Sequence, residues 1–198
     1  MASGVFRFED IAPTGLRQFA NLGKLTGIPL EFAFNLALPT TMGLIASGAF
    51  SLGAVLSRGL TRRSRLAIPG GWFAVVAVCL IGNLTTARSL LMGVPANYDP
   101  FVQWVWNGSR AIDNAITEFP FFSGLYADLH SHLVALPITL VAIALAYAIA
   151  THSRRLLGTS HDPTKFTRPD LGFKLAALSL VLGTLSATNA WDVPVYAV

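Results

Sequence analysis

Four long apolar runs, about Leu30 to Leu56, Leu66 to Leu91, Leu129 to Ala150 and Leu171 to Val193, constrain this chain more than any other feature. A helix rises 1.5 Å per residue, so about 20 apolar residues cross the roughly 30 Å hydrocarbon layer of a bilayer. Within that layer every backbone N–H and C=O must be satisfied inside the protein, which makes successive apolar runs of this length helices. The predicted fold class is therefore all-α and integral to the membrane, with about four transmembrane helices plus an interfacial helical outer loop. Composition agrees: 53% of residues are hydrophobic, 12% are charged and mean hydropathy is +0.57. Soluble domains carry roughly a quarter charged residues.

Charge sets the expected orientation. The net charge of +4 and pI near 9.6 do not mark a nucleic-acid binder, because the bases sit in short loops between apolar runs. Arg58, Arg62, Arg63 and Arg65 follow the first run with no acid among them, and Arg154, Arg155, Lys165, Arg168 and Lys174 outnumber Asp162 and Asp170 after the third. Short basic loops are held on the cytoplasmic side, so both chain ends are expected outside a multi-pass protein of the cell membrane. The segment from about Met92 to Ala127 is biased to acid, with Asp99, Asp113 and Glu118 against Arg110. Tyr98, Trp104 and Trp106 within it are of the type that anchors at the lipid interface. Residues 1–26 are scattered with charge and lack the compact apolar stretch of a secretory signal, so insertion is expected to rest on the later runs in residues 27–198. Cys79 is the single cysteine and lies in an apolar run, which excludes an intramolecular disulfide.

Helices in lipid associate through small residues that allow close approach. Gly43, Ser47 and Ser51 recur every fourth residue in the first run, as do Ala49 and Gly53, and both stripes are expected to pack against neighbours. Pro39 is placed to kink this span. Pro69, Gly70 and Gly71 fall at the start of the second, where helix breakers do least harm.

With this topology the polar ends of the spans all fall on the outer face. Glu31 opens the first span, Asn83 and Arg88 close the second, Asp128, His130 and His132 open the third, and Asn189, Trp191 and Asp192 close the fourth. The stretch TEFPFFSGLYADLHSHLVALP from Thr117 to Pro137 concentrates them, joining Glu118, an aromatic and proline clamp, Asp128 and two histidines at the mouth of a span. Ionisable groups at such a position are functional candidates because removing them from water is costly without partners. Asp128 and His132 are ordinary ligands for a divalent metal, and a third would come from Glu118 or Asp192. On a continuous helix positions 128 and 132 share a face while 130 points away. An equal structural reading makes His132 a hydrogen-bonding residue at the helix mouth and Asp128 a carboxylate favoured by the helix N-terminus.

Several segments in order, GIPLEFAFNLAL, IGNL, the pattern Trp106, Ser109, Arg110, Ile112, the block EFPFFSGLYADLHSH, and TNAWDVPVY, make the chain resemble the Chlor_Arch_YYY membrane proteins from about Leu25 onward. It departs from them in lacking the tyrosine triplet, and in Thr85, Thr117 and Ser131, where that family tends to have Asp, Asn and Pro. Those proteins in turn look like C-type glycosyltransferases, multispan enzymes that use polyprenyl-phosphate-linked sugars. The resemblance implies a sugar transferase of the outer face, with Asp128 or Glu118 as base to the acceptor hydroxyl and Arg88 or Arg110 holding the lipid phosphate. His130, His132, Asn189, Trp191 and Asp192 would complete the substrate site. It also implies a piece of a longer protein, with membrane lipid and further upstream transmembrane segments as partners. The competing readings are a transporter-like module and a non-catalytic membrane scaffold. A transport path would distribute ionisable groups through the membrane depth.

Overall fold

Proline 29 cannot continue a helix backwards from Leu30, and it sets where the first span begins. Its extended backbone (φ −55°, ψ 145°) turns its carbonyl into acceptor for the N–H groups of Phe32 and Ala33, both at 3.0 Å, and helix α1 runs from Leu30 to Thr61 with Pro39 inside it. In this computed structural model the described residues are 21, 23–81, 91–93, 109, 119–126, 129–157 and 168–189. A 3-10 turn at Ser64–Leu66 leads into α2, Ala67–Val75, which passes without a break into a π-helical segment, Val76–Ile81. Then come the short α3, Pro120–Leu125, and two long helices, α4, Ser131–Leu157, and α5, Arg168–Thr188. No strand occurs among the described residues.

Four of these stretches are long and apolar enough to cross a membrane: Phe32–Thr61, Ser64–Ile81, Ser131–Thr151 and Asp170–Thr188. They match the four expected runs. Large apolar side chains also cover their outer surfaces, among them Phe73 at 73% and Leu180 at 73% exposure. A water-soluble bundle would not leave such a surface open, whereas hydrocarbon is its natural solvent. The interfacial helix expected around Trp104 and Trp106 lies outside the described residues.

Packing is pairwise. Helix α1 packs on α2 on one flank and on α4 on another, and α4 packs on α5. Small residues make the first contact: a Cβ at Gly53 would stand 2.5 Å from Ala74 Cβ and 2.6 Å from the Gly70 carbonyl oxygen, and one at Gly71 would stand 2.7 Å from the Phe50 ring. Gly70 and Gly71 thus serve close approach to Phe50, Gly53 and Ser57 on α1, beyond the tolerance of helix breakers that their position implied. Of the two small stripes, the one through Ala49 and Gly53 is packed, Ala49 being 2% exposed. The stripe through Gly43, Ser47 and Ser51 is a correction: all three are exposed and nothing approaches the Gly43 Cβ position within 4 Å. Small spacing makes a face available, but a helix has only so many neighbours.

Boundaries also shift. Helix α4 continues past the apolar run to Leu157, carrying the backbone of Arg154 and Arg155, because a helix satisfies its own backbone in the headgroup region as well as in hydrocarbon. Helix α5 starts at Arg168, with Asp170 in its first turn where the macrodipole favours negative charge.

Candidate functional site

The core that positions the site joins Ala37, Ile45 and Ala49 of α1, Cys79 of the π-helical segment, Leu129, and Leu133, Val134 and Leu140 of α4. Leu133 and Ile45 are fully buried. These contacts fix the first turn of α4, and with it the two histidines, against the N-terminal half of α1.

Just before α4 the aromatic clamp forms its own small unit. Pro120 occupies the first turn of α3, where its missing N–H costs nothing, and the extended Phe119 accepts the Ser123 N–H at 3.0 Å through its carbonyl. Phe119, Pro120 and Phe122 are buried, while Phe121 is 39% exposed. The rings of Phe119, Phe122 and Tyr126 stack in sequence, with centroid separations of 6.2 Å and 4.8 Å. The unit rests on α1 through Met42, whose Cε lies 3.3 Å from the Cβ position of Gly124, and on the π-helical segment.

His130 stands one residue before α4, and its carbonyl accepts the N–H groups of Leu133 (3.1 Å) and Val134 (3.2 Å). The expectation that 130 points away from 132 assumed a continuous helix through both. Because the helix starts at Ser131, the backbone of His130 is free to turn its ring back, and the two imidazoles meet edge to face with centroids 5.5 Å apart and planes at 64°. His130 is exposed and His132 half-buried, with its Nε2 shielded from solvent. Two imidazoles that close can offer ring nitrogens as hydrogen-bond donors and acceptors to a single ligand.

Asn189 arrives from the opposite direction. Fully buried Leu185 packs with Ala135 and Ala142 of α4, so α5 ends beside the beginning of α4, and the Asn189 N–H donates to the Leu185 carbonyl at 2.8 Å. The structure therefore brings His130, His132 and Asn189 to one end of the bundle. Asp128, Glu118, Arg88, Arg110, Trp191, Asp192 and Asn83 lie outside the described residues, as does the side chain of Glu31. Among the described residues no three metal-ligating side chains gather. The Asp128 and His132 metal pair therefore has only its histidine in view.

Ser123 escaped the sequence reading, and Cys79 was read only as a lone cysteine in an apolar run. Ser123 Oγ is fully buried and has no hydrogen-bond partner among the described residues, and Cys79 is buried in the π-helical segment on which α3 rests. A buried hydroxyl without a partner is costly, and single π-helical turns recur at functional sites. The serine was visible as the polar residue within PFFSGL; the π-helical geometry leaves no mark in a run of Val, Ala, Cys, Leu and Ile.

The fold and its polar end define a multi-span α-helical integral membrane protein. Residues 14–198 match the family described as Uncharacterized membrane protein (DUF2298), and the chain belongs to that family. Comparisons with curated proteins and with solved structures gave no match.

Proposed function

We propose that this protein is a membrane-embedded glycosyltransferase that moves a sugar from a polyprenyl-phosphate-linked donor to an acceptor at the extracytoplasmic face. What supports the reading is that the His130 and His132 pair and, at the end of α5, Asn189 lie at the end of the bundle opposite Arg58, Arg62, Arg63 and Arg65. A site at headgroup height is where a lipid-linked donor presents its sugar. No Asp, Glu, Lys or Arg occurs in residues 32–57, 67–81 or 133–151, which speaks against a transport path through those spans.

In this reading Asp128 or Glu118 accepts the proton of the acceptor hydroxyl as its oxygen bonds to the anomeric carbon. The polyprenyl phosphate leaves with the electrons of the broken bond, held by Arg88 or Arg110. The histidine pair and Asn189, with Trp191 and Asp192, orient the sugar. The test is reconstitution of the intact protein in liposomes with a polyprenyl-phosphate donor carrying a labelled sugar. Native membranes supply the acceptor, and label leaving the lipid fraction is counted. Wild type should deplete the lipid-linked label, while Asp128→Asn and Glu118→Gln together should not, at unchanged resistance to detergent unfolding. Equal retention of label by wild type and variant overturns the proposal.

A further inference from the structure

At the arginine end the same bundle holds a second feature, unrelated to the histidines. A cavity of about 940 Å³ runs between α1 and α4, lined on α1 from Leu44 to Arg62 and on α4 from Pro137 to Thr151. Lining residues on α1 recur at helical spacing, so they form a single stripe. With walls from two helices only, the cavity is a groove open sideways. Its length along α1, 18 residues at 1.5 Å, is about 27 Å, so it extends from the membrane surface past the depth of one leaflet.

The serine and threonine hydroxyls along the groove make no demand on an occupant. Ser47 Oγ donates to the Leu44 carbonyl at 3.1 Å, Ser51 Oγ to the Ser47 carbonyl at 2.8 Å, and Thr151 Oγ1 to the Tyr147 carbonyl at 2.9 Å. With these three hydroxyls satisfied inside their own helices, the wall is largely hydrocarbon, and the Tyr147 hydroxyl lies at the arginine end beside Gly59. The exposed Gly43, Ser47 and Ser51 stripe is explained in part: Ser47 and Ser51 keep this face low, and the absence of a side chain at Gly59 leaves room for the Tyr147 hydroxyl.

Only one end is charged. Arg58 and Arg62 line the groove there, and neither guanidinium meets an acid or a hydrogen-bond acceptor among the described residues. Arg62 caps α1 in the left-handed region (φ 53°, ψ 20°), a position that glycine fills without steric cost. A side chain held at such a cost is a pointer to use.

The geometry points to a binding site for an anionic phospholipid of the leaflet at the arginine end, its phosphate between Arg58 and Arg62 and an acyl chain along the groove. Charge complementarity selects this occupant. A zwitterionic lipid fills the hydrocarbon wall equally but offers no net charge to two uncompensated guanidinium groups, and a further apolar helix would leave both unpaired.

The full chain is purified into nanodiscs of equal parts phosphatidylcholine and phosphatidylglycerol, and the lipids it retains are counted by native mass spectrometry. Phosphatidylglycerol should be retained over phosphatidylcholine. Arg58→Gln and Arg62→Gln should each weaken that preference about tenfold or more, the loss of a charge-assisted hydrogen bond to phosphate. Arg63→Gln with Arg65→Gln, at the same end but outside the lining, should leave it in place. Ser51→Phe, which fills the groove without touching the arginines, should lower retention of both lipids. Equal effects of the two arginine pairs would show general surface attraction and overturn the site. So would cross-linking of Ser51→Cys to a second copy of the chain.

Discussion

The close approach of α1 and α2 at Gly53 gives a sharp test of the packing. Replacing Gly53 by alanine places a methyl 2.5 Å from Ala74 Cβ and 2.6 Å from the Gly70 carbonyl oxygen. Carbon atoms in contact prefer about 3.5–4.0 Å, so α1 and α2 must part by roughly 1 Å, a gap that forfeits a quarter to a half of the dispersion energy along their interface. Overpacking of this kind costs about 1–3 kcal/mol. The backbone of a helical glycine works the other way, since alanine is favoured by about 1 kcal/mol on propensity alone. Gly43→Ala isolates that term, because nothing lies within 4 Å of its Cβ position. Gly43→Ala should therefore be neutral or slightly stabilising, and Gly53→Ala should fall below it by about 1–3 kcal/mol. The assay is reversible unfolding by SDS in mixed micelles, followed by the fluorescence of the four tryptophans. A Gly53→Ala protein as stable as Gly43→Ala would refute the claim that small residues hold these helices together.

Truncation of fully buried Ile45 to alanine should cost about 1–2 kcal/mol, less than the 2–5 typical of water-soluble cores, because the separated helix is still in hydrocarbon and only lost packing counts. Leu36→Ala, at a position 56% exposed to lipid, should be silent in the same assay. Cys79, 6% exposed, should resist a membrane-permeant maleimide in the folded protein and react after unfolding in SDS. Rapid labelling under native conditions would contradict its place in the core.

The span count was legible because hydropathy and length decide it almost alone, and lipid permits little else. Pairwise packing was legible only in part. Ala49 with Gly53 and Gly43 with Ser47 look alike as small-residue spacings, and which one meets a neighbour depends on where α2 and α4 stand around α1, a fact of tertiary arrangement. The role of Gly70 and Gly71 was obscured for the same reason: their place at a helix start already accounted for them. At the site, the histidines were visible as residues but misjudged in direction. The error came from starting α4 at Leu129, two residues too early, since a start at Ser131 frees His130 from the 100° per residue of the helix. The π-helical segment under the site could not be read, because its residues suit an α-helix equally well.

The central claim is that the bundle presents its histidine end to the outside and its arginine end to the cytoplasm. It is tested most directly by labelling intact cells with a membrane-impermeant maleimide. The native chain has one cysteine and it is buried, so single replacements can be read without first removing it. His130 and Ser64 are both exposed, at opposite ends of the bundle. His130→Cys should label in intact cells and Ser64→Cys only after permeabilisation, as the arginines around Ser64 require. Labelling of both from the same side, or the reverse pattern, would contradict the account and remove the outer face from the proposed sugar transfer.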